Sequence, residues 1–150
     1  MILTRLDNLT AYRMHLPKWA VAPTSGAGAA RHGGRANRPD VGALYLSLDV
    51  ETAVKEYQQV STLLPPGTLL SYRVTVERVA DFRAGFAAAH WDPLWEDFPC
   101  DWRELWFNQH VEPPVGSSAM KSSRRVPRAS CSSHASPAAE PTWCYIPKPS

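Results

Sequence analysis

The spacing of hydrophobic and polar positions changes several times along the chain. Residues 9–16 are mostly apolar around Tyr12-Arg13 and predict a short first strand. Residues 41–48 form an apolar run bounded by turn residues, the pattern of a buried strand. From Asp49 the period becomes 3.6: Val50, Ala53, Val54, Tyr57, Val60 and Leu64 make one apolar stripe. That stripe predicts a helix capped by Asp49, with Glu51 well placed in its first turn. At ~100° per residue, Glu56 lies at the flank of the stripe, where a carboxylate can look into a cleft beside the core. Pro65-Pro66-Gly67 ends the helix. Residues 68–79 return to alternation, with Val74 and Val76 set against Arg73, Thr75 and Glu77, and predict a second long strand. Asp101 can cap a short helix carrying Trp102, Leu105, Trp106 and Gln109.

Between the first two strands, residues 17–39 are loop-rich and carry Gly26, Gly28, Gly33 and Gly34, which let backbone come close to a ligand. Beyond Pro114 no period remains. Residues 115–150 hold nine of the thirteen serines and much of the proline, the composition of a disordered tail. The expected organisation is therefore a domain over residues 1–114 and a tail over 115–150.

Composition adds three constraints. At 150 residues, with 44% apolar residues, the chain holds about one domain's worth of core. The net charge of +2 is unevenly placed: residues 1–114 carry −2 and residues 115–150 carry +4, so the folded part shows no nucleic-acid footprint. Cys100, Cys131 and Cys144 are odd in number and lack metal-ligand spacing. A reducing, cytoplasmic setting is the expectation, and it agrees with a start that lacks a basic stretch followed by an apolar run. No apolar run approaches the ~18 residues of a membrane span.

Candidate chemistry sits on Tyr12, Arg13, Arg35, Tyr45, Ser47 and Glu56. Arginine on a glycine-rich loop suits phosphate oxygens. An aromatic face suits a flat cationic ring. A fixed carboxylate stabilises positive charge that develops at an anomeric carbon. Each residue alone also has a plainer role: surface charge for Arg13 and Arg35, core packing for Tyr45, pairing with Lys55 or solvent for Glu56, proximity to the helix start for Ser47. Trp91, Trp95, Trp102 and Trp106 read first as core, with a ligand-stacking wall as the alternative. Residues 26–34 lack the Gly-Lys-Ser/Thr of a Walker loop. The five histidines show no metal spacing, so no metal site is expected.

Taken in order, these residues resemble the RES-domain family. Tyr12-Arg13 matches its opening pair, and Gly33-Gly34-Arg35-Ala36-Asn37 its Gly-Gly-Arg-Trp-Asn block. Tyr45-Leu46-Ser47 matches its Tyr-x-Ser strand end, and Ala53 with Glu56 its Ala-x-x-Glu helix. A strand like residues 69–76 follows, and residues 102–114 are similar to one subgroup. The likeness covers residues 11–114, and Ala36 departs from it by standing where the family has Trp, which removes a packing residue behind the arginine loop.

The resemblance implies an α+β fold like that of the ADP-ribosyltransferases, a split, mostly antiparallel sheet with flanking helices, its C-terminal portion incomplete here. It implies a toxin of a bacterial toxin–antitoxin pair that degrades NAD at the nicotinamide–ribose bond by hydrolysis or phosphorolysis. NAD is then substrate, with no cofactor, and the partner is an Xre-type helix-turn-helix antitoxin. Arg13 and Arg35 would bind phosphate and ribose with Tyr12 and Ser47, Tyr45 would face the nicotinamide, and Glu56 the oxocarbenium ion or ribose hydroxyls. The alternatives are a protein ADP-ribosyltransferase and an inert remnant that only binds an antitoxin.

After Glu112-Pro113-Pro114 the family continues with an apolar helix, a buried strand, a serine and a Gly-Gly-x-Asn-Leu-Val-Leu-like strand, and none of these is legible in residues 115–150. The genetic code allows a test of why. Read from the third base of each codon, Trp143-Cys144 forces valine and Cys144-Tyr145 forces leucine. Met120-Lys121 likewise forces glutamate. The shifted frame accommodates Gly-Gly-Thr-Asn-Leu-Val-Leu-Tyr and Asp-Glu-Val-Ile, as in the family. The reading is a frameshift near Val115, a truncated domain, an opened sheet edge beside Leu44, Leu46, Val74 and Val76, and a poorly folded or inactive chain.

Overall fold

The computed structural model describes residues 2–59, 61–113, 129–133 and 142–147. Strand β1 spans Leu3–His15, β2 Ala43–Ser47, β3 Thr68–Asp81, β4 Ala129–Ser133 and β5 Thr142–Pro147. Helix α1 spans Ala27–His32 and α2 Val50–Gln58. The architecture is α+β: the strands close in the order β1-β2-β5-β4-β3, antiparallel at every junction except β3–β4. The seam between β1 and β2 is narrow, with Tyr12 opposite Ser47 as its register pair. Residues of both strands line the cavity of the functional site.

Strand β1 starts earlier than its periodicity suggests. It pairs with β3 from Leu3↔Ala80 to His15↔Thr68, with register shifts between Thr4 and Leu9 and a positive φ of 53° at Asn8. A long partner supplies ladder hydrogen bonds to residues whose own pattern is weak, so tertiary pairing sets the length. Helix α2 begins as expected: the Asp49 carboxylate accepts hydrogen bonds from the Thr52 N–H at 2.7 Å and the Thr52 hydroxyl at 2.8 Å. Asp49→Ala is expected to cost about 1 kcal/mol, read as a melting point lower by a few degrees.

The helix stops short of the predicted end. Gln59 turns to a φ of 52° and closes the last turn on the Lys55 carbonyl. Leu64 is half exposed and Leu63 is 77% exposed, so the last predicted stripe position leaves the helix; Val60 lies outside the described residues. The Tyr57 hydroxyl donates to the Pro66 carbonyl at 2.7 Å, which draws the chain back toward β3.

Three apolar clusters fill the interior, the smallest around the fully buried Val79. One joins Ala11, Leu44, Leu46 and Val74 inside the sheet. Another gathers Phe82, Trp91, Trp95 and Phe98 around Ala36, Ala43 and Ala80. Trp91 and Trp95 are thus core residues, their ring centroids 4.9 Å apart. Trp102 is not part of that cluster and lines the site instead.

Residues 115–150 carried no expected element, yet two of their segments are strands. β5 pairs along all of β2, from Ala43↔Pro147 to Ser47↔Trp143, so the β2 edge anticipated as open is covered. Ladder bonds use the backbone that every residue shares. Thr142–Ile146, rich in aromatic and β-branched residues, has the propensity to supply them. The rest of that stretch lies outside the described residues. Among the described residues no helix is long and apolar enough to cross a membrane.

Candidate functional site

The glycine turn is built from the end of α1. Gly33 caps that helix at a φ of 68°, and its N–H bonds the Ala29 carbonyl at 2.8 Å. The left-handed backbone suits glycine. Gly34 and Asn37 then bridge, with the Gly34 N–H on the Asn37 carbonyl at 2.9 Å. Asn37, 3% exposed, organises the turn. Its amide nitrogen reaches the carbonyls of Ala29, Arg38 and Val41 at 2.9–3.0 Å, and its amide oxygen accepts from the Tyr45 hydroxyl at 2.6 Å. Two N–H protons serve three carbonyls, so at least one bond is shared.

Tyr45 therefore has a job beyond that expected from sequence. Its hydroxyl is committed to Asn37 and accepts the Ala36 N–H at 3.2 Å, while its ring lines the cavity. A Cβ on Gly34 would stand 2.6 Å from the Tyr45 hydroxyl and 2.7 Å from the Asn37 amide oxygen, which leaves glycine as the residue that fits. Arg38, at the far end of the turn, ion-pairs with Glu112.

Arg35 is half-buried and anchored. Its Nη1 donates to the carbonyls of Phe98 at 2.8 Å and Cys100 at 2.9 Å. These bonds hold Arg35 with alanine at position 36, and Ala36 itself is buried in the aromatic cluster. Burial lowers the guanidinium's pKa; Cys100 and Glu56 oppose that shift, and Arg103 adds to it. Arginine remains charged throughout. Arg13, on β1, donates from Nη1 to the Ser25 carbonyl at 3.2 Å and so ties down the loop before α1. Burial lowers its pKa as well, with the Tyr72 phenol opposing.

Glu56 projects from the last turn of α2. Lys55, its possible partner from sequence, is paired with Glu51 at 2.8 Å instead. Among the described residues the Glu56 carboxylate has no hydrogen bond or ion pair, and it is solvent-exposed. It lies within electrostatic reach of Arg35. Ser47 is buried at the β1–β2 seam opposite the half-buried Tyr12.

All six candidates, Tyr12, Arg13, Arg35, Tyr45, Ser47 and Glu56, line one cavity of about 510 Å³. Trp102, for which a ligand-stacking wall was the alternative reading, also lines it, as do His15, Trp19 and Arg103, which were not singled out as site residues from sequence. His15 shares a strand face with Arg13 by the two-residue period, a signal present in the sequence. Its Nδ1 is 3.1 Å from the Leu16 carbonyl, which can only accept, so the proton sits on Nδ1. No signal in the spacing marked Arg103; only the path of the chain brings it beside Arg35.

A site with two anchored guanidinium groups, an uncommitted carboxylate and an aromatic ring suits an anionic ligand with a ring and a reacting carbon. The chain matches the model of the RES domain over residues 10–115 and belongs to that family. In structure it is similar to a chain of the crystal structure of the M. tuberculosis MbcT–MbcA toxin–antitoxin complex, with a TM-score of 0.57 and 18% identity, covering 97% of this chain and 76% of that one. No curated protein matches it.

Proposed function

We propose that this chain carries the NAD-binding residues of a toxin that cleaves the nicotinamide–ribose bond, the toxin half of a toxin–antitoxin pair. The observation that carries this reading is the single cavity in which Arg13, Arg35, Tyr45 and Glu56 meet, with the Glu56 carboxylate left uncommitted. Arg13 and Arg35 bind phosphate and ribose, and the Tyr45 ring faces the nicotinamide. As the bond from C1 of the ribose to the ring nitrogen breaks, its electron pair leaves with neutral nicotinamide. Glu56 stabilises the oxocarbenium ion that remains. Water or phosphate then attacks C1, losing a proton to solvent.

The partner in this reading is an Xre-type helix-turn-helix antitoxin, and the setting is the cytoplasm. The likeness to a chain of a toxin–antitoxin complex supports the pairing. The forced codons in residues 120–145 support the frameshift reading, in which turnover is impaired while the binding residues upstream of Val115 are kept. Stop codons in the shifted frame would end that reading. The forced codons also favour a second function, a remnant that binds the antitoxin without consuming NAD.

Chromatography of NAD incubated with the chain, and with a version restored to the shifted frame, tests the activity. The expected result is nicotinamide release, faster in the restored version, with no label transferred to added protein acceptors. Acceptor labelling would make the protein an ADP-ribosyltransferase. Absence of both NAD binding and NAD loss in the two forms would overturn the proposal.

A further inference from the structure

The NAD reading leaves part of the cavity wall without a role. There Trp102 and Arg103 form part of the wall. The Arg103 guanidinium carbon sits 4.6 Å from the centroid of the Trp102 ring, a stacked cation–π pair. The Asp101 carboxylate is spent on the backbone N–H groups of Arg103 and Glu104, at 3.2 and 3.1 Å. Those bonds fix the turn that presents the pair. Arg103 forms no ion pair among the described residues.

The same segment is tied to the glycine turn, because Phe98 and Cys100 are the residues whose carbonyls hold Arg35. Two guanidinium groups of separate elements thereby line one cavity. Arg35 feels both Glu56 and Arg103. Like charges held together with no carboxylate between them cost free energy unless an anion bridges them. The cavity lining thus holds a carboxylate, an anchored cation and a second cation on an indole. A dinucleotide offers a reacting ribose, one phosphate, then a second phosphate bearing a nucleoside.

Resting on the NAD reading above, we infer that Arg103, braced by Trp102, binds the distal phosphate of the dinucleotide and makes the site select dinucleotides over mononucleotides. Arg35 takes the proximal phosphate. The guanidinium plane of Arg103 is also a surface on which the second base can stack.

Calorimetric titration of the full chain with ADP-ribose and with nicotinamide mononucleotide tests this, since both carry the proximal phosphate and only the first carries the distal one. Arg103→Gln is expected to weaken ADP-ribose binding about tenfold and leave nicotinamide mononucleotide unchanged. Arg103→Lys, which keeps the charge without the planar fork, should recover part of the loss. Arg103 is exposed, so its variants are expected to melt like the parent. Equal weakening of both ligands, or of neither, would overturn the inference. So would a parent that binds the mononucleotide as tightly as ADP-ribose, with the NAD reading intact. A folded parent that binds neither ligand would overturn both readings together.

Discussion

Replacing Glu56 with glutamine is expected to lower NAD cleavage by about two to three orders of magnitude, in whichever form of the chain turns NAD over. The side chains have nearly the same shape, so the change removes charge and little else. Glu56 is exposed and makes no hydrogen bond or ion pair among the described residues, so the fold does not depend on it. Stability should therefore stay within about 0.5 kcal/mol of the parent. In the proposed reaction the carboxylate's contribution grows as positive charge moves onto the ribose, so kcat should fall much further than NAD affinity. Kinetics beside a thermal melt make the check. Undiminished turnover would remove Glu56 from the mechanism, and a collapsed melt would mean its role is structural.

Asn37→Ala is expected to produce the largest loss of stability among the site residues. Its side chain serves the carbonyls of Ala29, Arg38 and Val41 and the hydroxyl of Tyr45, all from a position 3% exposed. Alanine leaves these groups without that partner in a place water does not easily reach. A buried polar group left unsatisfied costs about 1–3 kcal/mol, so a total of about 3 kcal/mol or more is expected. The melting point should drop on the order of 10 °C. NAD binding should fall with it, because the turn that carries Arg35 loses its internal brace. A melt within a degree or two of the parent would show that the backbone bonds and the Arg35 anchor hold the turn by themselves.

Both predictions concern residues of the glycine block and its neighbour helix, and the two differ in how readable they were. Glu56 was legible as a site candidate because helical period places it at the flank of an apolar stripe. The bracing role of Asn37 was not, because it depends on four partners spread from Ala29 to Tyr45 that meet only when the turn closes. Tyr45 shows the same divide: its place on a buried strand followed from the apolar run around it, while the commitment of its hydroxyl to Asn37 and Ala36 did not. Arg103 is the extreme case, since nothing about an arginine after a tryptophan distinguishes it from a surface charge.

The elements divide in a similar way. The start of α2 could be read from Asp49, since a cap is an interaction between residues three apart. Its end could not, because Gln59 turns left-handed to serve the return of the chain to β3. The length of β1 is decided by β3, and the strands β4 and β5 by the unfilled edges they meet.

By itself, then, the sequence determined what short-range physics controls: the apolar run of β2, the alternation of β3, the cap and stripe of α2, the glycine turn, and the ordered motif that marks the RES domain. The tertiary structure alone decided which groups are spent and which remain available. Arg35 is anchored through Phe98 and Cys100, Tyr45 is tied to Asn37, and Glu56 is uncommitted. Residue types and spacing specify local geometry, but whether a polar group has a partner depends on segments far apart in the chain, and only the closed fold brings them together.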